Sequence, residues 1–148
     1  MPAQHVTVMK KPVLIYGAGD TGIAIAEWIR REFTEQYYVE GFLDDNKTQH
    51  KYPIPIVGSF ENVEAFKKLK LENIILGFVL PVEKRLERAY ALKDKGFTFP
   101  SLVPHYVQEL WGVRIGEGVL IYNSIINPKT EIKNFVGINA YATIETCV

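Results

Sequence analysis

The sequence predicts an α/β fold in which a small parallel sheet is followed by the start of a left-handed parallel β-helix. Two observations predict it. Short runs that are apolar throughout alternate with longer amphipathic stretches over residues 11–104. From about residue 113 the helical period disappears, and isoleucine recurs nearly every sixth residue. We therefore expect a tail at 1–10, an α/β domain at 11–104 and an incomplete β-helix at 105–148.

The first strand, helix and strand follow one another directly. Residues 13–16 are continuously apolar and break at Gly17, which is typical of a buried strand. Apolar residues then recur at spacings of three and four, which predicts a helix with one apolar face: Ile23, Ala26, Ile29 and Phe33. Residues 37–43 form the next strand, and Asp44 and Asp45 end it.

The same alternation continues to about residue 103. We predict further strands at 56–58, 73–79 and 97–103. Between them we predict a helix at 60–70, with Ser59 as its N-cap, and a second helix from Pro81 to about Lys95, which ends at Gly96. Apolar strands separated by helices indicate βαβ units, so the sheet should be parallel and covered on both faces.

The C-terminal repeat is the strongest pattern in the chain. Its isoleucines are spaced by 6, 5, 6, 6 and 6 residues: Ile115, Ile121, Ile126, Ile132, Ile138 and Ile144. Four residues after each stands a small or β-branched residue: Val119, Ile125, Thr130, Val136, Ala142 and Val148. In a left-handed β-helix each hexad forms one side of a triangular coil, with isoleucine inside and the small residue near the corner.

An antiparallel meander is the alternative, because a period of six also satisfies strand alternation. A meander would need tight turns such as Asn-Gly or Asp-Gly, and none lies between residues 113 and 148. The hexads make just under two coils, fewer than such folds generally need. We therefore expect the stretch to be the beginning of a β-helix, continued in a longer protein or covered by a partner or by self-association.

Composition excludes several functional classes. Lysine plus arginine and aspartate plus glutamate both count 17 in 148 residues, which argues against nucleic-acid binding through phosphate contacts. No apolar run approaches the roughly 20 residues of a membrane span. The first ten residues do not resemble a signal peptide. The single cysteine, Cys147, supplies neither a disulfide nor a cysteine-rich metal site. We expect a soluble cytoplasmic protein without a metal.

The glycine-rich turn after the first strand indicates a phosphate site. Residues 17–22 fit G-x-G-x-x-G between a strand and a helix, where backbone amides and the helix N-terminus can hold a phosphate. Asp44 and Asp45 end the second strand, where an acid often holds a ribose hydroxyl in dinucleotide folds. The alternative is that the glycines only permit close packing and the two acids form a solvated turn. Asp20 would repel a pyrophosphate unless its carboxylate points away or caps the helix.

These stretches together resemble a known family. The chain is similar to bacterial sugar-nucleotide O- and N-acyltransferases of the sialic-acid and bacillosamine type, hexapeptide-repeat enzymes of polysaccharide biosynthesis with a Rossmann-like domain in front. The resemblance covers residues 11–148 and rests on stretches at 13–19, 39–45, 56–58, 74–77 with Arg85, and 115–118 through 126–128.

The resemblance implies a ligand and a set of residues. The front domain would bind a UDP-linked sugar, and the β-helix would form a trimer with acetyl-CoA as co-substrate between neighbouring coils. Gly17, Ala18 and Gly19 would face the diphosphate, and Asp44 and Asp45 would lie near the nucleoside. The loop after Gly77 and the guanidinium of Arg85 would line the same cleft, the arginine as a phosphate partner or as an ordinary exposed helix residue.

The catalytic group is where the sequence departs from the family. The family pattern of glutamate, histidine and aspartate supplies a general base. Here Glu145 is kept, and it is the one weak catalytic candidate, while Thr146 stands where the histidine belongs. His5, His50 and His105 lie in a tail, a loop and a junction, where solvated or locally bonded roles are the simpler interpretation.

Three functions remain open from the sequence. The leading one is the nucleotide-sugar-binding portion of an acyltransferase with little or no transfer activity alone. A second is a non-catalytic nucleotide-sugar-binding regulatory module. The third is an NAD-dependent oxidoreductase, which the glycine turn and Asp44 allow but for which the chain offers no substrate domain.

Overall fold

The computed structural model describes residues 9–78 and 81–145, which form two compact units divided between Thr98 and Phe99. The sequence placed this division after residue 104. The difference arises because Leu102 pairs with Leu120 of the repeat and its amide bonds to the Val119 carbonyl. Residues 99–104 therefore make their strand contacts with the second unit.

The first unit is built around a parallel sheet of four strands. The strands are β1 (Lys11–Tyr16), β2 (Tyr37–Leu43), β3 (Ile56–Gly58) and β4 (Ile74–Leu76). All pairs are parallel, and the order across the sheet is β3-β2-β1-β4. The helices are α1 (Asp20–Glu32), α2 (Glu64–Lys68) and α3 (Val82–Asp94). The predicted parallel α/β arrangement is confirmed.

The centre of the sheet is the core of this unit. Val13, Leu14 and Ile15 of β1 are fully buried, as a strand covered on both faces requires. Helix α1 contributes Ile25 and Ile29, which are equally buried. The apolar runs of the sequence thus bring the ends of β1, β2 and β4 together at one edge of the sheet.

Three predicted elements differ in extent. The helix expected at 60–70 covers only 64–68, and Ser59 is not its N-cap, because the Ser59 amide donates to the Asn62 side chain in a turn. The strand expected at 73–79 is β4, which covers only Ile74–Leu76. Val79, the last residue of the predicted strand, lies outside the described residues. The strand expected at 97–103 is reduced to single bridges at Thr98 and Leu102.

The second unit is a coil of short parallel strands. These are β5 (Arg114–Ile115), β6 (Leu120–Ile121), β7 (Ile125–Ile126), β8 (Glu131–Ile132), β9 (Gly137–Ile138) and β10 (Thr143–Ile144). They pair as β5 with β8, β6 with β9 and β7 with β10, each in parallel register. Each strand therefore stacks on the third strand after it, so one turn of the coil has three sides. Parallel pairing contradicts the antiparallel meander.

The coil begins earlier than the isoleucine pattern indicates. The bridge between Leu102 and Leu120 adds a third rung on the side that β6 and β9 form. A short helix, α4 (His105–Gln108), follows, and its Val107 is fully buried in the same apolar cluster as Ile121 and Ile126. This segment covers the start of the coil, where an exposed isoleucine row would otherwise meet water.

The isoleucines point into the coil, as predicted. Ile121, Ile126, Ile132 and Ile138 are at most 5% exposed. The expectation for Ile125 is wrong, because that side chain is 62% exposed and Ser124 is buried in its place. Ile121 and Ile126 are five residues apart instead of six, so this side of the coil is one residue shorter. The buried corner position therefore falls on Ser124, two positions before Ile126.

The part of the chain that the structure describes contains no helix long and apolar enough to cross a membrane. Within the same residues, no group of three or more histidine, cysteine or acidic side chains is arranged to hold a metal ion.

The coil allows a paired test of its register. Ile126→Ala should lower the free energy of unfolding by about 2–5 kcal/mol, because it opens a cavity in the coil. The adjacent Ile125→Ala should change the free energy by less than about 0.5 kcal/mol, because its side chain faces solvent. Urea unfolding of both variants measures the difference. Equal effects would mean that the strands pair in another register.

Candidate functional site

An open cleft lies at the carboxyl ends of β1, β2 and β4 in the first unit. One part is a cavity of about 200 Å³. An adjoining part of about 470 Å³ falls within the range of small-molecule sites, roughly 300–1,000 Å³. Both parts are lined by Gly17, Asp44, Asn46 and Phe78, so they form one continuous depression. The carboxyl edge of a parallel sheet is where ligands bind in open α/β folds.

Three glycines let the backbones around this cleft meet. A Cβ on Gly22 would lie 1.9 Å from the Gly17 carbonyl oxygen, and one on Gly77 would lie 2.8 Å from the same oxygen. Gly17 itself has φ +117°, a conformation that side chains rarely adopt. The first turn of α1 therefore packs directly against the ends of β1 and β4. For Gly17, Gly22 and Gly77, close packing accounts for the residue type.

Gly19 differs from the other glycines of the turn. A Cβ built on it would meet no atom within 4 Å, and its backbone conformation, φ −86° and ψ −168°, is open to any residue. Packing therefore does not explain this glycine. It lines the larger part of the cleft, directly before the first residue of α1. A ligand that approaches the start of the helix would need this space.

The start of α1 contributes partial positive charge to the cleft. The first N–H groups of a helix have no partner within it, and the helix dipole adds partial positive charge there. Asp20 and Thr21 of the first turn line the cleft, as does Lys47 from the loop after β2. Asp20, an exposed residue, lines the same part of the cleft, and its repulsion of a pyrophosphate stays a prediction.

The Asp44 carboxylate ties two loops together. It accepts hydrogen bonds from the amides of Ala18 at 2.9 Å, Asn46 at 2.9 Å and Lys47 at 2.8 Å. Partial burial raises the pKa of Asp44, but these amide donors outweigh burial, and the pKa is lowered from its ordinary value. Asp44 thus holds the glycine turn against the loop after β2, and the Ala18 amide is committed to it.

The Asp45 carboxylate is also occupied by protein groups. It accepts hydrogen bonds from the Tyr16 hydroxyl and from the Phe60 amide, the latter at 2.9 Å. Arg88 of α3 forms an ion pair with it at 3.6 Å. Burial first, and then the hydrogen bond to Asp45, raises the pKa of Tyr16 far above its ordinary value, so this hydroxyl stays protonated.

Arg85 and Gly77 have structural contacts. Arg85 is 8% exposed, and its Nε donates to the Phe78 carbonyl oxygen at 3.1 Å. Burial lowers the pKa of its guanidinium. The Gly77 amide donates to the Tyr16 carbonyl oxygen at 2.7 Å. Both residues hold the segment after β4 beside the cleft, and Arg85 is not the exposed helix residue that the sequence left open.

Several residues that line the cleft were not assigned to it from the sequence, among them two aromatic residues and two lysines. Tyr16 and Phe78 pack edge to face with ring centroids 5.3 Å apart. Lys84 lines the smaller part and Lys47 the larger part. The signal was available for the lysines, because each follows a predicted strand end or helix start by only a few residues. No such signal exists for Tyr16 and Phe78, because each lies in an apolar run that is typical of a buried strand.

The candidate catalytic residues lie elsewhere. Glu145 is exposed at the end of the described part of the second unit, while Thr146 and Cys147 lie outside the described residues, as does His5. His105, an exposed residue at the start of α4, has its Nδ1 3.4 Å from a carboxylate oxygen of Glu109. His50 Nε2 contacts the Ile54 carbonyl oxygen at 2.6 Å, and its ring packs against Phe42. His50 and His105 therefore have local contacts, in agreement with the simpler interpretation from the sequence.

Comparison with known proteins gives matches at the level of structure. No protein-family model matches the chain, and no curated protein matches it significantly. The acetyltransferase domain of PglB from Neisseria gonorrhoeae FA1090 matches with a TM-score of 0.75 and 20% sequence identity, over 91% of this chain and 65% of that domain. Its complex with acetyl coenzyme A matches with a TM-score of 0.74 and 19% identity, over 92% and 65%.

A mutant of perosamine N-acetyltransferase from Caulobacter crescentus, in complex with CoA and GDP-perosamine, matches with a TM-score of 0.73 and 21% identity. The match covers 86% of this chain and 60% of that one. The chain thus spans between 60% and 65% of the length of these structures. Over this length it shares the fold of these two acetyltransferases, as the resemblance of its motifs indicated.

The hydrogen bonds of Asp44 predict a pH-dependent stability. Asp44→Asn should lower the free energy of unfolding at pH 7 by about 1–3 kcal/mol, because an amide cannot accept from all three N–H groups. The pKa of Asp44 is lower in the folded chain than the value of about 3.9 in the unfolded one. Its contribution is therefore complete above that pH and is lost as the pH falls through the folded pKa.

Urea unfolding of both proteins between pH 7 and pH 2 measures the effect, and other carboxylates cancel because the two chains share them. A stability difference that stays constant to pH 2 would contradict the role assigned to the Asp44 charge.

Proposed function

We propose that this chain is the nucleotide-sugar-binding portion of a hexapeptide-type acyltransferase, acting with acetyl-CoA on a UDP-linked or similar amino sugar. In this proposal the first unit is a Rossmann-like domain, in agreement with its β3-β2-β1-β4 order and its glycine turn. The second unit is the start of a left-handed β-helix, which would associate as a trimer. A cytoplasmic location follows from the sequence expectation.

One observation carries the proposal. The cleft at the carboxyl edge of the sheet contains a helix N-terminus, and beside it stands Gly19, whose missing side chain the protein's own packing does not explain. A phosphate group fits such a place, because backbone N–H groups and the helix dipole both favour an anion. An unexplained glycine in this position supports ligand binding over the packing interpretation, which does account for Gly17 and Gly22.

The contacts suggest how a nucleotide sugar would lie. The Ala18 amide is used by Asp44, so the amides of residues 19–21 are the donors left for a diphosphate, with Lys47 as a nearby cation. Asp44 and Asp45 would lie near the nucleoside, in the part of the cleft that Tyr16 and Phe78 line. Gly77 and Arg85 would support this wall from the segment after β4.

Acyl transfer would combine this unit with the coil. In the transfer, the amine or hydroxyl of the sugar attacks the thioester carbonyl of acetyl-CoA and loses a proton to a general base. The structurally similar transferase from Caulobacter crescentus holds CoA and GDP-perosamine together, which supports both ligands as probes. Because this sequence has Thr146 where a histidine would serve as base, we propose that transfer by this chain is weak.

The binding proposal predicts a loss of affinity at Gly19. Isothermal calorimetry with UDP-N-acetylglucosamine and GDP-mannose should show saturable binding of at least one of them to the natural chain. Gly19→Val should weaken that binding by about tenfold or more, because a branched side chain would fill the place of the phosphate. Its thermal midpoint should fall by only a few degrees, since the position faces open space and the loss is limited to the poorer helix capping by valine.

Gly137→Val is the matched control, because Gly137 also has no neighbour within 4 Å of its Cβ position but lies in the coil. It should bind the nucleotide sugar as the natural chain does. Tight binding of NADH instead of either sugar nucleotide would favour the oxidoreductase. Equal affinity of the Gly19→Val variant would refute the phosphate site.

A transfer assay separates the enzyme from the regulatory module. Incubation of the chain with acetyl-CoA and a 4-amino sugar nucleotide should release free thiol roughly 10²–10⁴-fold more slowly than an acetyltransferase of the same fold that has the histidine, because a general base contributes about that factor. A regulatory module should release no thiol above the uncatalysed background. Thiol release is followed with a chromogenic disulfide. Rapid, saturable release would contradict the assignment of Thr146 to the position of the missing base.

A further inference from the structure

We propose that Asp45 is a positioning residue, whose carboxylate joins Tyr16, Phe60 and Arg88 and so fixes one wall of the cleft without contacting the ligand. The inference rests on the proposed function for its ligand, but the contacts that carry it belong to the protein alone. It changes the role that the resemblance gave Asp45 from contact with the nucleoside to support of its site.

The hydrogen-bonding capacity of Asp45 is directed into the protein. Its Oδ2 accepts from the Tyr16 hydroxyl, and its Oδ1 accepts from the Phe60 amide at 2.9 Å. The Arg88 guanidinium lies 3.6 Å from Oδ2. A charged carboxylate with these three partners would lose two hydrogen bonds and an ion pair if it turned toward a ligand.

Arg88 packs on an aromatic ring of the cluster in addition to its ion pair with Asp45. Its guanidinium carbon lies 4.0 Å from the centroid of the Phe60 ring, in a cation–π contact, and three-quarters of its side chain is buried. Its Nε is buried with no hydrogen-bond partner among the described residues. This geometry holds α3 against the turn before α2, with Asp45 providing the opposite charge.

The cluster therefore connects four segments around the cleft. Tyr16 ends β1, Asp45 follows β2, Phe60 precedes α2 and Arg88 lies within α3. The Tyr16 ring also packs edge to face on Phe78, and Tyr16, Asp45 and Phe78 all line the smaller part of the cleft. Removing the carboxylate would free the Tyr16 hydroxyl and the Arg88 guanidinium at once, so the wall would lose its fixed shape.

The first arm of the test needs no ligand. Amide hydrogen exchange, followed by NMR on the full chain, should show the Phe60 amide exchanging about tenfold faster in Asp45→Ala. Asp45→Asn should restore most of the protection, because its Oδ1 still accepts from that amide. Glu131→Ala is the control, since it removes a carboxylate from the largely exposed ion pairs with Arg114 and Lys133 in the coil and should leave the Phe60 amide unchanged.

The second arm separates positioning from general loss of stability. Affinity is measured by calorimetry with the sugar nucleotide, UDP-N-acetylglucosamine or GDP-mannose, that the natural chain binds more tightly. Asp45→Ala should lose about tenfold in affinity, while Ile29→Val, which removes one methyl group from the buried core of α1, should lose less than about twofold. The temperature is set well below the thermal midpoint of both variants.

A double mutant decides between positioning and direct contact. If Tyr16 acts through Asp45, the combination of Tyr16→Phe with Asp45→Ala should bind as weakly as Asp45→Ala alone and no more weakly. Additive losses, or a loss of affinity in Asp45→Ala with unchanged Phe60 exchange, would overturn the proposal in favour of a direct contact. If the natural chain binds neither nucleotide, the proposed function fails, and the exchange arm alone still confirms or refutes the cluster.

Discussion

The close approach of three backbone segments at Gly17, Gly22 and Gly77 is the constraint on which the cleft depends. The Gly17 carbonyl oxygen occupies space that a side chain on either of the other two would need. Because the segments pack backbone to backbone, the N-terminus of α1 is held at the carboxyl edge of the sheet. Larger residues would separate the helix from β1 and β4, and the positive end of the helix would no longer point into the cleft.

Asp44 and Asp45, the two acidic residues after β2, hold different segments at this edge of the sheet. Asp44 binds amides of its own loop and of the glycine turn, so it joins segments that lie side by side. Asp45 reaches Tyr16, Phe60 and Arg88, which belong to more distant segments. With both carboxylates satisfied by the protein, Lys47 and Lys84 are the cations that line the cleft.

The coil follows a different physical rule from the sheet. Its strands are only two residues long, and their stability comes from stacking inward isoleucines on the residues one coil earlier. The corners bring Lys129, Phe135 and Tyr141 to positive φ, and their amides bond to carbonyls of the preceding coil. The rung at Leu102 and the buried Val107 of α4 protect the first coil, so the coil unit includes residues that precede the repeat.

The sequence by itself determined the parallel α/β unit, the glycine turn between strand and helix, and the inward isoleucines, because each is written as a local period or a short motif. The exception at Ile125 could also have been predicted by counting back from Ile126, since the buried residues Val119, Ser124 and Thr130 each stand two positions before an isoleucine. What only the tertiary structure decided are relations between distant residues. Gly19 and Gly22 look alike in the motif, but one faces open space and the other the Gly17 carbonyl. From the sequence alone Asp45 is predicted to lie near a ligand. In the folded chain its carboxylate contacts Tyr16 of β1 and Arg88 of α3, and such hydrogen bonds and ion pairs between distant segments form only once the chain has folded.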